Sequence, residues 1–153
     1  MHWFRVKSRQ ADGRKNEAGF TLVELAIVIV IIGVLAAFGV PRFRDSVERS
    51  KASEAFSYLS AVRSAHERYH GRAGTYAAEL TKLDVQLPAP KYFTASAIEP
   101  NNGSLEKGWK LTLTRTGASA GYGEYTVIFT EQGFDTATST IADADHESIN
   151  PMS

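Results

Sequence analysis

The chain has 153 residues, enough for one domain of ordinary size. Its 17 Lys and Arg balance 17 Asp and Glu, so no bulk field demands nucleic acid or an acidic surface as a partner. The absence of cysteine excludes disulfides, thiolate metal ligands and thiol nucleophiles. The charge is nevertheless uneven. Residues 1–19 hold five basic groups (Arg5, Lys7, Arg9, Arg14, Lys15) and two acidic ones (Asp12, Glu17); removing these from 17 and 17 leaves 12 basic against 15 acidic in the rest.

Residues 20–40 read FTLVELAIVIVIIGVLAAFGV, 21 residues with a single charge, long enough as a helix to cross the hydrocarbon layer of about 30 Å. The basic excess on its N-terminal side predicts that residues 1–19 stay in the cytoplasm and the C-terminal part lies outside. A buried core helix would show a polar side, and residues 25–40 show none. A general secretory signal finds a passable small-x-small site at Ala37-Phe38-Gly39, but its apolar region would be too long and would contain a carboxylate.

That carboxylate, Glu24, sits in Gly19-Phe20-Thr21-Leu22-Val23-Glu24, and an ionisable group inside an apolar span is costly and by default functional. With the basic leader before it and the apolar helix after it, this junction resembles the Phe-starting class of the type IV pilin family. The resemblance is specific over about residues 18–45 and architectural beyond. It implies cleavage between Gly19 and Phe20 by a prepilin peptidase, N-methylation of Phe20, Glu24 as the assembly carboxylate pairing with the Phe20 amine, and Pro41 as a helix-bending proline. A leader of 19 residues is longer than is common in that class.

After Pro41, the residues Val47, Ala55, Tyr58, Leu59, Val62, Ala65 and Tyr69 recur at helical spacing, with Ser46, Ser50, Ser53, Ser57, Ser60 and Ser64 around the opposite side. One helix is expected from Phe20 to about His70, stopping at Gly71. Its serine side permits close approach of neighbouring helices, and equally reads as a solvated face. Gly74, Pro88 and Pro90 mark an irregular connection over 72–90, with at most a short helix around 77–83. Alternation at Trp109, Leu111, Leu113 and at Tyr125, Val127, Phe129 predicts two half-buried strands. Weaker strands are expected at 91–98 and 134–141, with turns at 100–103, 117–123 and 132–133. The tail from Ala142 reads as polar and loose.

The fold class is thus α+β, a long N-terminal helix packed on a small antiparallel β-meander, which is also the pilin head architecture. It divides into a cytoplasmic leader (1–19), an apolar transmembrane and assembly helix (20–41), its amphipathic continuation (42–71) and a head with a polar tail (72–153). His66-Glu67-Arg68-Tyr69-His70 matches the helical H-E-x-x-H zinc string, but the extended form fails because Ala73 and Tyr76 stand where it needs Gly and His. His146 among Asp143, Asp145 and Glu147 reads as a solvated acidic tail and lacks calcium-loop spacing. No catalytic residue, cofactor or metal is expected. Arg42, Arg44, Arg49 and Lys51 read as membrane-flanking charge rather than a DNA surface.

The resemblance therefore implies a non-enzymatic filament subunit held in the inner membrane as a precursor, then polymerised into a type IV pilus-like surface filament of many copies. Its implied partners are the prepilin peptidase, the inner-membrane assembly machinery and, before assembly, lipid. The alternative keeps the junction but makes the chain a minor pilin or a secretion pseudopilin that primes or tips a short filament. A membrane-anchored zinc hydrolase is the remote alternative from another class.

Overall fold

The computed structural model describes residues 19–85, 88–117 and 121–153. The leader's basic groups, all within residues 1–18, lie outside the described residues, as do positions 118–120 of the expected 117–123 turn. The chain forms two compact units, one ending at Ala37 and the other beginning at Phe38.

The first unit contains the start of the helix α1 (Leu22–Ala73), a 52-residue element. Its side chains are apolar on every side, and nothing among the described residues covers them: Leu22, Ile29 and Leu35 are 85%, 68% and 67% exposed. This is the one helix among the described residues long and apolar enough to cross a membrane.

In the second unit α1 continues through Pro41 to Ala73. Gly71 does not stop it. Termination falls at Gly74, whose φ of 72° is the left-handed conformation that glycine adopts without a Cβ clash, and whose N–H donates to the His70 carbonyl at 2.8 Å. The helix buries Glu48, Ala52, Ala55, Phe56, Tyr58, Leu59, Val62, Ala65 and His66. Of the expected stripe, Ala55, Tyr58, Leu59, Val62 and Ala65 are buried, and Val47 departs from it. Val47 is 39% exposed and Glu48, one position on, faces inward instead. Ser46, Ser53, Ser57, Ser60 and Ser64 each donate to the carbonyl four residues back, so these hydroxyls are satisfied within the helix itself.

Among the described residues the sheet has five strands rather than three or four. They are β1 (Phe93–Ala95), β2 (Glu99–Pro100), β3 (Trp109–Arg115), β4 (Thr126–Thr130) and β5 (Gly133–Phe134). All pairings are antiparallel, in the order β1-β3-β4-β5, with β2 on the same side of β3 as β1. The strand expected over 91–98 is confined to β1, Phe93 facing Arg115, and β2 lies just beyond that range, Pro100 facing Trp109. Trp109, Leu111, Leu113 and Arg115 point inward from β3, with the alternation seen in the sequence. They meet the helix stripe in one core with Tyr125, Val127 and Phe129. The 77–83 helix shrinks to a 3₁₀ turn at Leu80–Lys82.

The expected strand over 134–141 persists only at Phe134. Beyond it, side chains take over the ladder along β4. Ser139 Oγ accepts from Ile128 N–H at 2.9 Å, and Thr126 N–H donates to Thr140 Oγ1 at 2.8 Å. The expectation of a loose tail is overturned. Residues Thr140–Ala142 and Ala144–Ile149 form 3₁₀ turns, and Ile141 and Ile149 are completely buried. His146 is half-buried and its Nε2 lies 2.8 Å from the Tyr122 carbonyl oxygen. Two isoleucines in an otherwise polar stretch provide enough apolar area to dock it.

The Glu131 carboxylate gathers the β2–β3 connection, accepting from Asn101 Nδ2 at 3.1 Å and from Trp109 N–H at 3.2 Å. A Cβ on Gly108 would stand 2.5 Å from Glu131 Oε2, so glycine is required there for the clamp to close.

Candidate processing and assembly site

Phe20 and Thr21 precede α1, and Thr21 is its N-cap. Thr21 N–H and Thr21 Oγ1–H both donate to Glu24 Oε2 at 2.8 Å, while Glu24 N–H donates back to Thr21 Oγ1 at 3.1 Å. This is a reciprocal capping box, with Glu24 three residues beyond the cap; it satisfies donors that the first turn would otherwise leave open. Thr21 has no role among the sequence expectations, although Thr-x-x-Glu before an apolar run is the signature of such a cap. Both accepted bonds fall on Oε2. Oε1 has no partner among the described residues, so the carboxylate keeps an open acceptor beside Phe20, itself 83% exposed.

Gly19 has an ordinary φ, and a Cβ there would meet nothing within 4 Å. The same holds for Gly33 and Gly39 inside the apolar helix, where glycine costs about 0.5–1 kcal/mol relative to alanine. Nothing within the described chain requires glycine at these three positions.

The zinc-like string is dispersed into the core. His66 is completely buried and stacks on Trp109 with ring centroids 4.2 Å apart, and half-buried His70 stacks on Tyr76 at 4.4 Å. Among the described residues no group of three His, Asp or Glu side chains is disposed to hold a metal. Burial pushes His66 down from 6.5 to about 4. A histidine depressed in the folded state contributes stability that is complete above its unfolded value and is lost as pH falls from 6.5 toward 4. The lowering corresponds to about 3 kcal/mol below pH 4. Denaturation of the full chain in detergent is expected to lose stability between pH 6.5 and 4.5, where carboxylates still contribute little. His66→Phe should flatten that window; an unchanged slope would show that the imidazole is not its source.

The apolar helix, its capped start immediately after Gly19-Phe20 and, in the second unit, a small antiparallel sheet packed on the later part of α1 make this an α+β protein. Residues 14–40 match the family model of the prokaryotic N-terminal methylation motif, and the chain carries this motif of type IV pilins. It is 45% identical over 92 residues to a fimbrial protein of Pseudomonas aeruginosa, covering 60% of this chain and 58% of that one. It is 36% identical over 92 residues to a fimbrial protein of Moraxella nonliquefaciens, covering 59% and 60%. A third relative, fimbrial protein EcpC of Eikenella corrodens, is 44% identical over 66 residues, 43% of each chain. The chain thus spans about half the length of the curated relatives it matches.

Proposed function

We propose that the chain is the precursor of a filament subunit, cut between Gly19 and Phe20, N-methylated on Phe20, and polymerised through its apolar helix into a type IV pilus-like surface fibre. Residues 1–19 then form the cytoplasmic leader, 20–41 the span, 42–71 its amphipathic continuation with Pro41 as the bending point, and 72–153 the head outside. The observation that carries this reading is the capping box in an uncovered apolar helix, with Glu24 Oε1 left open. Cleavage would convert the Phe20 nitrogen into an amine, and the amine of a neighbouring subunit, or of the same chain, would satisfy both charges as the helices leave lipid. Gly33 and Gly39 suit close helix–helix approach, which accounts for glycine where the single chain gives no reason for it. The serine face, with its hydroxyls spent on carbonyls, enters a helix interface without stranding donors. Relatives named as type IV major fimbrial proteins favour the main subunit over a minor one.

The test is the N-terminal mass of protein sheared from the cell surface, which should begin at methylated Phe20. In the Gly19→Val variant, full-length chain is expected to accumulate in the membrane, because the peptidase rather than the chain's own fold is what demands the small residue. Normal trimming of that variant would remove the proposed cleavage specificity.

A further inference from the structure

The capped start of α1 fixes more than its first turn. Gly19, Phe20 and Thr21 lie outside the helix, and the Thr21 carbonyl accepts the first helical bond, from Leu25 N–H at 3.2 Å. In a helix one turn longer, Val23 N–H would go to the Gly19 carbonyl and Glu24 N–H to the Phe20 carbonyl. Thr21 intercepts the second of these, because Glu24 N–H donates to Thr21 Oγ1 at 3.1 Å. Thr21 N–H, which backward growth would turn toward the leader, is held by Glu24 Oε2 at 2.8 Å.

The apolar setting sharpens this choice. A helix entering hydrocarbon has little water at its first turn to satisfy open N–H groups. Without a side-chain acceptor, the Phe20 and Gly19 carbonyls are the nearest replacements, and using them winds the Gly19–Phe20 bond into the helix. Hydrolysis needs that bond unwound, since proteolysis proceeds through locally opened backbone. Water would give its oxygen to the Gly19 carbonyl carbon, the bond to the Phe20 nitrogen would break, and that nitrogen would take up the proton to become an amine.

We propose that Thr21 is a positioning residue for leader removal: its hydroxyl caps α1 and keeps the Gly19–Phe20 bond outside the helix, within reach of a peptidase. The inference rests on the cleavage reading and names the residue that presents the bond. The matched methylation motif, residues 14–40, spans this junction, and Phe20 is exposed. The geometry also separates Thr21 from Glu24. Loss of the Glu24 carboxylate leaves the N–H of residue 24 on Thr21 Oγ1, so that chain keeps its cap and is trimmed. Loss of the Thr21 hydroxyl removes the cap.

The experiment follows leader removal from the full chain in detergent by membranes that carry the prepilin peptidase. Thr21→Val keeps the shape of the side chain and deletes the acceptor. Its trimming should slow by roughly 2- to 30-fold, the ratio that a cap's contribution of about 0.5–2 kcal/mol sets between unwound and wound junctions. The loss should fall on KM with kcat unchanged, because only the unwound fraction binds. Thr21→Ser and Thr21→Asn differ in shape but still cap, and should be trimmed nearly as fast as the unsubstituted chain. Carbon chemical shifts of the full chain in micelles give a second measurement without the peptidase: in Thr21→Val, Gly19 and Phe20 should move to helical values. Trimming of Thr21→Val at the unsubstituted rate, slow trimming of both Thr21→Ser and Thr21→Asn, or non-helical shifts at Gly19 and Phe20 in Thr21→Val overturns the proposal. An unsubstituted chain left untrimmed would instead count against the cleavage reading itself.

Discussion

Glu24→Ala is expected to be cut normally after Gly19 and retained in the membrane, yet to yield at least a hundredfold fewer filaments when it is the only copy. A carboxylate at the middle of a membrane costs on the order of 3 kcal/mol on insertion scales, and less near the boundary, so residence in lipid is tolerable. In a dry bundle of helices the demand changes. Removing one partner of a buried ion pair strands the other, at about 3–5 kcal/mol, and the Phe20 amine would be that stranded charge. The capping box adds a second role that must be separated from the first, since losing a cap by itself costs about 0.5–2 kcal/mol. Glu24→Gln separates them. Glutamine can still accept from Thr21 N–H and Oγ1–H but carries no charge. If charge pairing drives assembly, Glu24→Gln should fail nearly as badly as Glu24→Ala, and Glu24→Asp should be intermediate because its reach is shorter. Abundant filaments from Glu24→Gln would reduce this residue to a helix cap.

The second large effect lies in the head. Glu48 and Arg115 are each 2% exposed at the side chain, and Arg115 Nε donates to Glu48 Oε1 at 2.5 Å. Tyr125 Oη–H donates to the same oxygen at 3.0 Å, and Lys51 Nζ donates to Oε2 at 3.0 Å. Burial pushes the Glu48 carboxyl up, but the hydrogen bonds from Arg115, Lys51 and Tyr125 outweigh it and leave Glu48 below the usual value. Burial also raises the Tyr125 hydroxyl, and the neighbouring Glu48 charge reinforces this. Glu48→Ala strands Arg115 between the helix and β3, and should destabilise the head by about 3–5 kcal/mol. The thermal midpoint should drop by on the order of 10 °C or more. The double variant Glu48→Leu with Arg115→Met should recover most of that loss, because an apolar pair of similar volume leaves no charge unpaired. Calorimetry of the full chain in detergent measures all three. A double variant no better than Glu48→Ala would mean that shape, not charge, is what the pair contributes.

The apolar run was legible because its signal is local. A hydrocarbon layer selects for length and apolarity. The two main strands were legible for the same reason, since a half-buried sheet imposes alternation on Trp109–Arg115 and on 125–129. The capping role of Thr21 was also local and was simply not read. Gly71 was read as the stop, although the helix turns off only at Gly74, where the backbone requires a positive φ that sequence spacing does not reveal.

What the tertiary structure alone decided has partners far apart in the chain. Glu48 looks like an ordinary solvated helix residue until Arg115, 67 positions later, is folded against it. His66 stands in a string that only resembles a zinc motif, and it is Trp109, stacked on its ring, that places it in the core. Composition alone describes the C-terminal segment as a loose acidic tail, because two isoleucines are a weak signal among the ten residues 141–150, six of which are polar. Once the sheet presents a core for Ile141 and Ile149, the apolar surface they remove from water outweighs the entropy of ordering the turns, and Asp143, Asp145 and Glu147 become a defined surface.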